Sequence, residues 1–140
     1  MKSMFRLTLA TALFTSVGGC DAITGPRPLI DQFTYEGVGN PADIQEGVDI
    51  AGFSRAVNFL GQMKTPTLCY SLSSSLDVDG SSLTLNVDAN PSGAANCAQT
   101  PGGFRYTGVI QNLDHGTYTV RIIQRVSGQT PQEFSEEVKL

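Results

Sequence analysis

The sequence has no tryptophan and a single histidine, His115. The first absence excludes an indole platform for stacking on sugar rings, and the second leaves imidazole chemistry one candidate. His115 stands between Asp114 and Gly116, where a turn would put it in water. No serine occupies a Gly-x-Ser-x-Gly elbow, so a Ser-His-Asp unit has no support. Charge is sparse at 16% of residues, and 9 basic against 13 acidic side chains leave a net −4. An acidic chain of this kind has no electrostatic means of holding nucleic acid. Three cysteines without short spacing do not build a zinc cage around one histidine. Asp77, Asp79 and Gly80 begin like a calcium loop, but the later oxygen ligands and closing glutamate are missing. No cofactor or metal is expected. The one long apolar stretch, residues 7–18, is 12 residues long. That is shorter than the roughly 20 needed to span a bilayer as a helix.

That stretch is still the most informative part of the chain. Lys2 and Arg6 form a basic start, the apolar run follows, and Val17-Gly18-Gly19-Cys20 closes it. A basic start, a short apolar run and small residues at a cleavage point make a secretory signal. Cys20 stands where a lipobox places the residue that receives diacylglycerol, and the whole segment resembles that of a bacterial lipoprotein. The resemblance implies removal of residues 1–19, acylation of the Cys20 thiol and a place in the bacterial cell envelope. Several acyl chains, each methylene contributing about 0.8 kcal/mol, would hold such a protein firmly to a membrane.

After cleavage about 120 residues remain, enough for one domain. Losing Lys2 and Arg6 leaves 7 basic against 13 acidic residues, a net charge of −6. Residues 20–29 read as the lipidated cysteine and a tether. Pro26 and Pro28 favour extended backbone there, and nine such residues reach about 30 Å. With Cys20 assigned to lipid, Cys69 and Cys97 remain, and an exported pair is most simply a disulfide. It would close a loop of about 29 residues, worth roughly 3–4 kcal/mol in the chain-entropy model.

Residues 30–140 alternate with period two, the signature of half-buried strands. Ile30, Phe33 and Tyr35 mark an imperfect first strand, and Val48, Ile50 and Phe53 a second. Residues 55–64 fit a strand and a helical turn about equally. Leu68, Tyr70, Leu72, Leu76 and Val78 alternate with serines and aspartates up to Asp79-Gly80, after which Leu83, Leu85 and Val87 resume. Two alternating runs joined at Asp-Gly predict a hairpin. Cys69 shares the polar parity, so the disulfide is expected to staple the loop at 89–103 from outside. Phe104, Tyr106 and Ile110, then Val120, Ile122 and Val126, then Phe134 and Val138 mark further strands. Ile123 falls on the polar side and is expected to lie under residues 55–64. Glu133, Glu136 and Glu137 suit a solvated edge.

The prediction is an all-β protein, an antiparallel sandwich of about seven strands. Residues 113–122, LDHGTYTVRI, resemble the Leu-x-x-Gly-x-Tyr-x-Val corner of fibronectin type III and related immunoglobulin-like domains. The resemblance implies that Tyr118 packs inward with its hydroxyl bonded to nearby backbone; a plain hairpin across Asp114 and Gly116 is the competing local reading. The expected role is non-enzymatic, an envelope module meeting another protein or a polysaccharide. The 89–103 loop is the candidate surface, because long loops on rigid scaffolds carry function. A carbohydrate-binding or protease-inhibitor-like sandwich, or a small envelope hydrolase, is the alternative. A sugar platform would draw on Tyr35, Phe104 and Tyr106.

Overall fold

Alternating sequence becomes alternating burial along eight strands. A computed structural model describes residues 25–140; the leader, Cys20 and the start of the tether lie outside the described residues. The strands are β1 (Leu29–Val38), β2 (Gly47–Phe53), β3 (Ala56–Thr65), β4 (Tyr70–Asp79), β5 (Ser82–Pro91), β6 (Gly102–Gln111), β7 (Thr117–Val126) and β8 (Gln132–Lys139). One 3-10 turn, Pro41–Asp43, lies between β1 and β2, where the Asn40 side chain caps the Ala42 N–H. Two four-stranded sheets run in the orders β1-β6-β3-β2 and β4-β5-β7-β8. They pack face to face as a sandwich, which is the predicted class.

The strand beyond the expected seven is β3, the segment whose pattern is ambiguous in sequence. Its inward positions are Val57, Phe59, Gly61, Met63 and Thr65, all buried. Glycine and threonine interrupt the apolar alternation, and Leu60 is an apolar residue on the outer face. Gly61 has a physical cause: a Cβ there would overlap the buried Tyr106 ring. Gly108 makes the same room for Phe59. Large aromatic rings from one strand thus need bare backbone on its neighbour.

One pairing departs from the antiparallel expectation. β5 and β7 run parallel, with Leu83 opposite Val120 and Ala89 opposite Val126. Parallel neighbours need a crossover. Here it passes through β6 in the other sheet, so β6 and β7 do not form a plain hairpin across Asp114 and Gly116. The β4–β5 hairpin forms as expected, and Gly80 takes φ +56° in its two-residue loop. The parallel pair also separates this strand order from the all-antiparallel sheets of immunoglobulin domains. The likeness of residues 113–122 to those domains is local.

β1 is imperfect because its register shifts between Asp31 and Thr34, with Gln32 at φ +56°. The bulge lets Ile30 and Phe33, of opposite parity, both pack against the core. Phe53, by contrast, lies off the parity of Val48 and Ile50 and stands 73% exposed. Ile123 is half-buried on the outer face, and β3 lies in the opposite sheet and does not cover it. Its neighbours across the strands are Asn86 and Glu133.

The core is largely apolar, with Gln124 and Thr65 as buried polar residues on inward positions. Val57, Phe59, Phe104, Leu83, Leu85, Val87, Val120 and Ile122 are buried, each worth about 1.5–3 kcal/mol relative to exposure. There the Gln124 amide donates to the Tyr106 hydroxyl at 2.8 Å and to the Gln62 main-chain carbonyl at 3.2 Å. This joins β6 and β3 of one sheet to β7 of the other. Burial pushes the Tyr106 phenol up from 10.0 to about 12, against a smaller opposing effect of the Gln124 hydrogen bond. The sign follows: an unfolded tyrosine ionises near pH 10, the folded one near pH 12. The stability Tyr106 contributes is therefore fully present below about pH 10 and falls as pH rises toward about 12. Denaturant midpoints at about pH 9 and about pH 11 should show this loss in the wild type and a smaller one in Tyr106→Phe.

Candidate functional site

Register fixes which loops share an end. β1, β3, β5 and β7 run one way, while β2, β4, β6 and β8 run the other. The chain enters at the Leu29 end of β1. That end, the base, also holds the β2–β3 turn at 54–55, the β4–β5 turn at 80–81 and the β6–β7 connection at 112–116. The opposite end gathers the loops at 39–46, 66–69, 92–101 and 127–131. The 92–101 loop is the first half of the β5-to-β7 crossover and bridges the two sheets.

Cys69 and Cys97 are joined, with Cα atoms 5.1 Å apart. The expected disulfide is therefore present, and it pins the 92–101 loop to the start of β4. Further bonds hold the same corner. The Ser92 N–H donates to the Cys69 carbonyl at 2.9 Å, and the Cys69 N–H to the Thr67 hydroxyl at 3.1 Å. Gly93 adopts φ +68°, a left-handed conformation that favours glycine, and the chain turns here on it. A groove of about 420 Å³ results, lined by Pro66, Tyr70, Pro91, Ala94, Cys97 and Gln99 among others. Its lining is uncharged at neutral pH, with both sulfurs consumed in the bridge. Such a surface offers amide, hydroxyl and small apolar contacts, suited to recognition by shape and hydrogen bonding.

The outer face of the first sheet carries a second groove, of about 360 Å³. Leu60, Ala51 and Val109 lie along it with Gln32, Asp49 and Asn58. Leu60 is 40% exposed. The other sheet's outer face is polar, carrying Arg121–Glu133 at 2.9 Å, Arg125–Asp88 at 3.4 Å and an Asn86-to-Asp77 hydrogen bond at 3.0 Å. On β8, Glu136 sits opposite Val120 yet stays exposed, a charge that discourages edge pairing.

The remaining sequence candidates separate cleanly. His115 is exposed at the base. Asp77 is occupied by Asn86 on the sheet face. The proposed sugar platform does not form, because Phe104 and Tyr106 are buried at 4% and 0% exposure and only Tyr35 reaches solvent. Tyr35 packs edge-on against Phe104 at 5.8 Å. Tyr118 follows the expected corner: its half-buried ring packs on the core and its hydroxyl accepts from the Asp114 N–H at 3.2 Å. Leu113 is buried beside it, with Arg55 donating to the Leu113 carbonyl at 2.8 Å and to Asp114 at 3.0 Å. Sequence reasoning missed Gln124, although its parity with Ile122 and Val126 put it inside. Compared with family models, with curated proteins and with solved structures, the chain matches none.

Cys69→Ala with Cys97→Ala should cost roughly 3–4 kcal/mol in chemical denaturation, the chain-entropy value for this loop. Hydrogen exchange should rise at 92–101 and leave the β5 and β7 amides protected at moderate denaturant. Uniform loss of protection across both sheets would show that the staple supports the whole fold.

Proposed function

We propose that the chain is a lipid-anchored protein of the bacterial cell envelope whose β-sandwich is a non-catalytic interaction module. Acyl chains on Cys20 hold it to a membrane, and the disulfide-pinned end meets another envelope macromolecule, a protein in the first instance. One observation carries the second half of this reading: the chain enters at one end of the sandwich, and the pinned loop with its groove lies at the other. A tether at one pole directs the opposite pole outward. Strands of about ten residues separate the two by roughly 30 Å. The uncharged lining of the groove favours a partner recognised by shape over one recognised by ionic attraction.

Two substitutions test the parts separately. Cys20→Ser should move the protein from the detergent phase to the aqueous phase on phase partitioning, with the domain still folded. Equal partitioning of both forms would sink the anchor. A photo-crosslinking residue at Ala94 or Gln99 should give one discrete adduct in intact cells, while the same residue at Asp114 should not. Adducts equally abundant from both poles, or from neither, would contradict an interaction end.

A further inference from the structure

The pole where the chain enters has its own character. Leu29, Phe53 and Val78 are 46%, 73% and 44% exposed. Each lies at or next to the last base-side residue of its strand. Leu29 and Phe53 share the outer face of the first sheet, in register with Gln111 and Ala56. The next row inward mixes Ala51 and Val109 with Asn58 and Asp31, and the far half of the same face carries Gln62, Arg105 and Glu36. The face thus grades from polar to apolar toward the base. Pro26 lies in a groove of about 300 Å³ with Phe53 and Arg55, and the Arg27 carbonyl accepts from Asn112 at 3.2 Å. The tether is therefore docked from Pro26 onward. From Cys20 to Pro26 only six residues remain, a maximum reach of about 20 Å.

We infer that the base is a membrane-contacting surface, with Phe53 seated in the lipid interface and Leu29 reaching it from the opposite edge strand of the same sheet. The inference rests on the anchor at Cys20: a short leash ending beside exposed apolar side chains brings them to the bilayer. An amphipathic surface gains by burying its apolar side chains at the headgroup boundary. The base bears Arg27, Arg55 and Lys139 against Asp31, Asp79, Asp114 and Glu137, so the contact is apolar and does not require anionic lipid. With the base in the interface the domain stands upright or tilted toward its first sheet, and the disulfide loop points away.

The absence of tryptophan makes the test direct, because Phe53→Trp supplies a single indole. The lipidated variant is placed in phosphatidylcholine vesicles with brominated acyl chains, beside Leu29→Trp and a Gln99→Trp reference at the opposite pole. The indole of Phe53→Trp should shift to the blue and lose about half its emission, that of Leu29→Trp somewhat less and that of Gln99→Trp almost none, with no change in high salt. Flotation reports attachment separately from contact. If acylation fails, a chain beginning at Cys20 is coupled through that thiol to maleimide-headgroup vesicles and the quenching is repeated. Quenching of Phe53→Trp no greater than that of Gln99→Trp in vesicle-bound protein overturns the inference. So does a lipid-free dimer that shields the indole of Phe53→Trp from aqueous quencher, which would assign the face to a second copy.

Discussion

The parallel pairing of β5 with β7 is the constraint from which the rest of the architecture follows. Two strands running the same way within one sheet cannot be joined by a tight turn. The chain leaves β5 at one pole, returns along β6 in the opposite sheet and re-enters at the other pole. The first leg of that path is the ten-residue 92–101 loop, held by the Cys69–Cys97 bridge. The second leg is the 112–116 connection, drawn tight by the Asp114-to-Tyr118 bond and the Arg55 contacts. The two poles differ because the two legs differ. One carries a pinned loop and a groove, the other a compact set of turns.

The crossover strand β6 lies between β1 and β3 in the first sheet, and its inner face is buried. Its inward side chains include Phe104, Tyr106 and Ile110, all in the core. A tyrosine placed there needs a partner for its hydroxyl, because an unpaired buried polar group costs about 1–3 kcal/mol. Gln124 from β7 supplies it and also reaches the Gln62 carbonyl on β3. The other end of the Gln124 amide, Oε1, is buried without a hydrogen-bond partner among the described residues, so the polar pin carries some cost in stability. Gly61 and Gly108 complete the arrangement by leaving room for the rings of Tyr106 and Phe59. Of these contacts, the Gln124 hydrogen bonds to Tyr106 and Gln62 cross between the sheets, whereas the two glycines fit neighbouring strands of the first sheet together.

Much of this is legible in the sequence, and the exceptions have identifiable causes. Strands β4 and β5 read clearly because serines and aspartates alternate with leucines and valines up to Gly80. The Cys69–Cys97 pair reads clearly because one histidine and no short cysteine spacing leave the two thiols no evident metal role. β3 does not read, since Gly61 sits inward to make room for Tyr106 on another strand and Thr65 sits inward bonded to the Thr67 carbonyl. The break in β1 at Gln32 hides the common face of Ile30 and Phe33. Phe53 looks like a strand residue by composition, although its parity already excludes it from the inner face. Phe104 and Tyr106 count in sequence both as strand markers and as a sugar platform, and burial admits only the first. The parallel pair is not legible at all, because period-two alternation is silent on strand direction. Of the candidate site, the loop is visible from its length and cysteine, whereas its position opposite the tether needs the sheet register.

Placement of the tether and the pinned loop at opposite poles is the claim on which the account of function stands. The direct measurement is the distance between spin labels introduced on unnatural side chains at positions 27 and 94, leaving the disulfide intact. Strands of about ten residues rising about 3.3 Å each predict a narrow distribution centred at about 30–40 Å. A distribution centred below about 20 Å would put both positions at one pole and contradict the crossover through β6.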